Sequence, residues 1–210
     1  QVYSDPRWSI QLAYSIIHEG NINLDEYRAV IHPEDYSVRT IQGHQYSLYP
    51  LGAPILAVPF VFVYDLLTPR SATQINDVHP KAQEFIASFI VALTAVILYL
   101  IARLYLNTWQ SLLVAFIFAF CTSAWSTATR ALWQHGPSML CLSLALYILL
   151  LSKEKPNLAQ YVSLPLAYSF VVRPLNAFSI LLFSLYVLLY YRKYFIKYML
   201  WSLTIAVPFF

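Results

Sequence analysis

The sequence predicts an all-α, polytopic integral membrane protein, a helical bundle with interfacial helices in a first outer loop. Three observations carry this expectation. Hydrophobic residues make up 59% of the 210 positions and charged residues only 11%, at a mean hydropathy of +0.57, outside the usual balance of soluble domains. Nine of the ten acidic residues fall in the first 84 positions, leaving only Glu154 beyond them. The remainder divides into long apolar runs separated by short polar breaks. Two domains follow: an outer loop over 1–83, and a bundle of about six crossings over 84–210 that stops inside an apolar run. The first residues already have the character of a loop following a helix, so the expectation is a piece of a longer protein.

Each element has its own signal. Pro6 to Glu19 suits an amphipathic helix, with Trp8, Leu12 and Ile16 at four-residue spacing. Asp5 is placed to cap it, Pro6 to start it and Gly20 to end it. Fourteen residues are too few to cross a bilayer, so this helix is expected to lie in the interface plane. Asn21 to Gln45 reads as a polar loop, and its acids Asp25, Glu26, Glu34 and Asp35 as solvated. The segment "YSLYPLGAPILAVPFVFVYDLL" carries Pro50, Pro54 and Pro59, which favour a short or re-entrant surface helix over a long straight span. Thr68 to His79 reads as another polar loop.

The crossings follow. Glu84 to Tyr105, Trp109 to about Thr127, and Pro137 to Ser152, extended back to Trp133, are the first three. Leu158 to Tyr191 holds 34 residues, roughly 51 Å of helix at about 1.5 Å per residue, too long for one crossing. Arg173-Pro174 splits it. If cationic loops face the cytoplasm, Lys153 and Lys155 must share a side with Arg192, Lys193 and Lys197, which requires two short helices hinged at Arg173-Pro174. A further span begins at Lys197. The acidic head, the "TRALWQHGP" turn and Arg173 then share the outer face, and the expected setting is a bacterial inner (plasma) membrane with residues 1–83 outside. Abundant Tyr and Trp near run ends suit an aromatic belt, and "YVLLYYRKYF" belongs to it.

Composition also excludes. A net charge of +3, scattered along the chain, gives no footprint for nucleic acid. Cys121 and Cys141 sit in apolar segments as small core residues, and His18, His32, His44 and His79 lack metal spacing and read as solvated. No cofactor is implied; a divalent metal is chemically compatible, but no motif for one is present.

On the outer face stand Asp5, Arg7, the acids of 25–35, His44, Arg130, His135 and Arg173. Carboxylate beside cations suits a reaction on a lipid phosphate: guanidinium forks grip the phosphate and a carboxylate serves an acceptor hydroxyl. Each has a plainer role too. Asp5 also works as a helix cap, and Arg130 and His135 as snorkelling or turn residues. Arg173 between two apolar helices demands an anion.

"YSDPRWSIQLAYSIIHEGNINLDEY", "HQYSLYPLGAPILAVPF", "TRALWQHGPSMLCLSLALYILL" and "VVRPLNAF", in that order, resemble the N-terminal membrane part of a GT-C superfamily glycosyltransferase that uses a polyprenyl-phosphate-linked sugar. The resemblance implies a GT-C-like helical bundle and inverting sugar transfer at the outer membrane face. It makes Asp5 the catalytic base or acceptor-binding carboxylate. Arg173 becomes a ligand of the donor phosphate, with Arg7, Arg130 and His135 around the substrate. Partners implied are the lipid-linked donor, membrane lipids and other membrane subunits. Two positions depart from the family pattern: Pro6 follows Asp5 where relatives often carry a second acid, and Leu48 stands in "SLYP" where they often carry Lys. An accessory or scaffold subunit that keeps the fold without the chemistry is the alternative, and a transporter of a lipid-linked sugar would share the same phosphate-binding face.

Overall fold

The structure, a computed structural model, describes residues 7–67 and 72–209. Among them the order is α1 (Ser9–His18), β1 (Val38–Ile41), β2 (His44–Ser47), α2 (Gly52–Leu67), α3 (Ala72–Arg103), α4 (Thr108–Cys121), α5 (His135–Leu151), α6 (Ser163–Val172), α7 (Ala177–Tyr190) and α8 (Phe195–Ala206). The fold is all-α apart from one antiparallel hairpin.

The helix expected from Pro6 starts later, at Ser9, with Trp8 rather than Asp5 in the N-cap position. Asp5 and Pro6 lie outside the described residues. Gly20 does follow the C-cap, at φ 66, the left-handed conformation that glycine adopts without a Cβ penalty. The expectation of one buried face is also revised, because every residue from Ser9 to Ser15 is buried. Ile10, Ala13 and Tyr14 pack with Ala57 and Val61 of α2, Ile86 and Ile90 of α3, and Leu132. Trp8 and Leu12 instead meet Leu24 and Tyr27 of the following loop. That loop roofs α1, so α1 is a core helix of the polar head.

The expected loop over Asn21–Gln45 contains the hairpin. Gln42 and Gly43 both have positive φ, 52° and 88°. A two-residue connection of this type matches the twist of paired strands, and Ile41 pairs with His44 directly across it.

Two helix boundaries differ from expectation. The polar stretch assigned to a loop over Thr68–His79 is helical from Ala72, so α3 runs 32 residues through the 83/84 boundary without a break. Polar side chains cost a helix only tenths of a kcal/mol each, so polarity alone does not mark a loop there. Conversely α4 stops at Cys121, short of Thr127. Thr122 has an extended backbone, and its hydroxyl donates back to Phe118 O at 2.7 Å; residues 124–128 then wind as a π-helix. The start of α4 is a full capping box between Asn107 and Gln110.

Residues 158–191 divide as expected. Helix α6 ends at Val172, Arg173 is extended (φ −153°, ψ 106°) as the residue before a proline prefers, and α7 resumes at Ala177. Helices α5, α6, α7 and α8 share a second core of Ala145, Leu149, Leu166, Val187 and Tyr198.

The ends of the bundle differ in charge. At one end Lys153 lies over the Tyr105 ring (6.0 Å), and the 156–162 turn contacts residues 192–194, so the cationic breaks cluster there. At the other, Gln83 of α3 reaches Arg7 O and Leu132 N (3.4 Å each), and Arg173 meets the start of α5. Only one described helix, Lys81–Arg103, has the length and hydropathy of a full bilayer crossing. Of the other apolar helices, α2, α4 and α5 are shorter, and 174–190 with 192–209 form two limbs bent by 113°.

The head locks onto the bundle at Gly52. A Cβ there would lie 2.5 Å from both N and Cα of Val172, and Tyr168 Oη donates to Gly52 O at 2.7 Å. No side chain fits against that backbone. Gly52→Ala is expected to lower stability by about 1–3 kcal/mol, the cost of overpacking a tight contact, read as a lower thermal unfolding midpoint. An unchanged midpoint would mean that α2 and α6 do not approach this closely.

Candidate functional site

The sequence-predicted residues separate into two groups. Arg7 belongs to the head. Its Nη1 lies 2.9 Å from Asp35 Oδ2, with side-chain exposures of 15% and 1%. The same carboxylate accepts from Trp8 Nε1 (3.3 Å), Ser37 N (3.0 Å) and Ser37 Oγ (2.5 Å). The guanidinium stacks over the Trp8 indole at 4.9 Å. This corrects the expectation of a solvated Asp35. It also places Arg7, expected as a substrate ligand, in a buried ion pair that folds the 25–37 loop onto α1.

Asp25 and Glu26 of that loop are engaged as well, whereas Glu34 is exposed. Asp25 accepts from His44 Nδ1 (2.5 Å), Gln45 N (2.9 Å) and Arg28 Nη2 (3.1 Å), tying the hairpin to the loop, and Glu26 accepts from Ser15 Oγ. His18, expected to be solvated, meets Asp65 at 2.9 Å, joining α1 to α2.

His135 and Arg173, 38 residues apart, do come together: Arg173 Nη1 donates to His135 Nδ1 at 3.0 Å. A guanidinium cannot accept, so in this contact the ring proton sits on Nε2, where it remains a donor. Arg173 is half-buried and His135 exposed. Among the described residues no carboxylate pairs with Arg173. His135 also opens α5, whose N-cap Gln134 makes no side-chain cap bond, so the positive end of a 17-residue helix dipole lies at the same place. Guanidinium, imidazole N–H and helix terminus together form an electropositive corner suited to an anion. Arg130, in the turn before α5, is exposed and makes no side-chain hydrogen bond or ion pair among the described residues. Asp5, expected as the catalytic carboxylate, lies outside the described residues.

Three neighbouring side chains escaped the sequence reading. Asn176 and Ser138 hydrogen-bond beneath the Arg173–His135 pair (Nδ2 to Oγ, 2.8 Å), and Gln83 links the Arg7 arm to the 132–135 turn. An amide or hydroxyl inside an apolar run was the available signal, since such groups are buried only with partners. A shallow crevice lined by Ser9, Ser47, Tyr49, Pro50, Leu132 and Gln134 adjoins this end of α5. No group of three or more His, Cys, Asp or Glu among the described residues is arranged to hold a metal ion.

Comparison with protein-family models, with curated proteins and with solved structures gives no match.

Two expectations test the head. Asp35→Ala strips Arg7 and Trp8 of their shared acceptor and should cost about 3 kcal/mol or more of stability in urea or thermal unfolding; a change within about 0.5 kcal/mol would mean the pair is solvated. The hydrogen bonds from His44 and then Gln45 hold the Asp25 carboxyl below the usual range. A carboxyl with a lowered folded-state pKa contributes stability above its unfolded value of about 3.9 and loses it as pH falls through the folded value. Protection of the Gln45 amide from hydrogen exchange should therefore persist from neutral pH to about pH 4 and decline only in stronger acid; decline between pH 7 and 5 would contradict this.

Proposed function

We propose that this chain is the membrane part of a GT-C-type glycosyltransferase, which takes a sugar from a polyprenyl-phosphate-linked donor at the end of the bundle bearing Arg173 and His135. The observation that carries the reading is the Arg173 guanidinium, half-buried, 3.0 Å from a neutral imidazole and without a carboxylate among the described residues. A cation so placed beside a helix N-terminus suits a phosphate ligand.

In this reaction the acceptor hydroxyl attacks the anomeric carbon and loses its proton to Asp5, while the bond from that carbon to the phosphate oxygen breaks. The lipid phosphate leaves with the electron pair. Arg173, the Nε2–H of His135 and the α5 dipole stabilise the charge it gains. Arg130 remains as an outer cation for the donor. Arg7 leaves the ligand set, because Asp35 holds it.

A polytopic membrane setting is part of the proposal. Helix α4 exposes Trp109, Leu113, Phe116, Ile117 and Phe120, and α7 exposes Phe178, Leu181, Leu182 and Leu189. Apolar surface on this scale is unfavourable in water and suits acyl chains. Short helices then cross as antiparallel pairs, with the cationic end in the cytoplasm. The second reading, a non-catalytic subunit with this fold, is favoured by Leu48 in "SLYP" and by the engagement of Arg7 with Asp35.

Arg173→Lys discriminates between the two, since it keeps the charge and loses the planar fork. In the enzyme it should reduce sugar transfer by about 10²-fold or more, as removal of a preorganised donor to the leaving group does, with an unchanged unfolding midpoint. Equal activity in Arg173→Lys and wild type, or no transfer from any polyprenyl-phosphate sugar in the full-length protein, would favour the subunit. For topology, single cysteines at positions 155 and 193, in a protein with Cys121 and Cys141 replaced, should label from the same side, and cysteines at 23 and 134 from the other. Labelling of 155 and 193 from opposite sides would defeat the paired crossings.

A further inference from the structure

The contact between Arg173 and His135 does not stand alone. Three residues along each segment, Asn176 meets Ser138, so the 173–176 turn docks on the first turn of α5 at two points of equal spacing. The outer point is open to solvent at His135. The inner one is buried, with Asn176 7%, Ser138 5% and Ser169 0% exposed.

The inner point is a complete set of hydrogen bonds. Asn176 Nδ2 donates to Ser169 O (2.9 Å) and to Ser138 Oγ (2.8 Å), and the Ser138 hydroxyl lies 3.1 Å from Asn176 Oδ1. Arg173 N also donates to Ser169 O (2.9 Å), and Asn176 N to Arg173 O (2.9 Å). One carbonyl of α6 thus receives both the backbone of Arg173 and the side chain of Asn176. Pro174 removes a donor and forces Arg173 into extended geometry, so the turn does not continue the α6 ladder and is held locally by a single 3-10 turn, Asn176 N on Arg173 O and Ala177 N on Pro174 O. Without the amide, Ser169 O would keep only Arg173 N and Ser138 Oγ would lose its partner, and the Arg173 backbone could rotate away from α5.

We infer that Asn176 is a positioning residue, which fixes the 173–176 turn in register on α5 and so aims the Arg173 guanidinium at an anionic phosphate ligand. The inference rests on the phosphate role of Arg173 proposed above. Asn176 itself touches no ligand. A rotation of the turn moves the guanidinium, and displacements of the order of 1 Å at a charged contact change binding and rate by large factors.

The test uses the purified full-length protein in detergent and farnesyl phosphate as the probe, with affinity from titration calorimetry and the unfolding midpoint measured alongside. Arg173→Lys, Asn176→Ala and the double variant are compared. Asn176→Ala should weaken binding about tenfold, and the double variant should bind no more weakly than Arg173→Lys alone, because both changes remove one interaction. Additive losses, or a lowered midpoint with unchanged affinity in Asn176→Ala, would overturn the inference and leave Asn176 a purely structural residue. If Asn176→Ala does not fold, Ser138→Ala and Ser138→Thr decide. Weaker binding in the alanine variant with wild-type binding in the threonine variant, which restores the hydroxyl, supports the positioning role; equal binding in both overturns it. Binding by wild type and its loss in Arg173→Lys, with Asn176 and Ser138 variants unaffected, would defeat this inference alone. No binding by wild type would defeat the phosphate reading and the inference with it.

Discussion

Much of the structure depends on how the chain turns at Arg173-Pro174. A proline with no N–H and a preceding residue driven out of helical geometry break what would otherwise be one long apolar helix. The break places a permanent cation between two apolar helices, and the turn is held by Asn176 against Ser138 and Ser169. Immediately before it, Val172 presents bare backbone to Gly52, so the polar head docks on the same spot. Head, hinge and the start of α5 therefore meet at one seam.

That seam joins two kinds of chemistry. The head is organised by ion pairs and hydrogen bonds, above all the Asp35 carboxylate with its four donors, and by aromatic packing of Trp8 with Tyr27. The bundle is organised by apolar contacts and by serine and threonine hydroxyls bonded to their own helices, as at Thr94, Ser111 and Ser152. Such self-satisfied hydroxyls are tolerated in an apolar medium. They fit the proposed bilayer setting, in which the electropositive corner at Arg173 lies where a lipid phosphate would be presented. Asp25, Glu26 and Asp35 are bound internally, so they do not compete for that corner.

The parts legible in the sequence were those with a strong local cause. The proline at 174 and the glycine at 20 each mark a boundary through backbone chemistry, and the break at 173–174 followed from charge placement and length together. The parts that were not legible depended on distant partners. Asp35 looks like any loop acid until Arg7 and Trp8 fold over it, 28 and 27 residues away. The polar residues from Ala72 onward carry no loop signal beyond polarity, and the helix simply continues through them. The hairpin at Gln42-Gly43 was missed because its strands are short and only weakly alternating. At the candidate site, Arg173 and His135 were named from the sequence, but their contact and the buried Asn176 clamp beneath it depend on a packing of α5 against α6 that no local pattern encodes.

The most direct measurement is the distance between a lipid phosphate and the arginine side chains. Full-length protein with ¹⁵N-labelled guanidinium groups, reconstituted with farnesyl phosphate, would be studied by ¹⁵N–³¹P dipolar recoupling in the solid state. Strong coupling at hydrogen-bonding distance, abolished by Arg173→Lys and retained in a variant with Arg28 replaced by lysine, is the expected result. Coupling that survives Arg173→Lys, or no coupling in a sample shown to contain bound ligand, would contradict a phosphate site at the hinge.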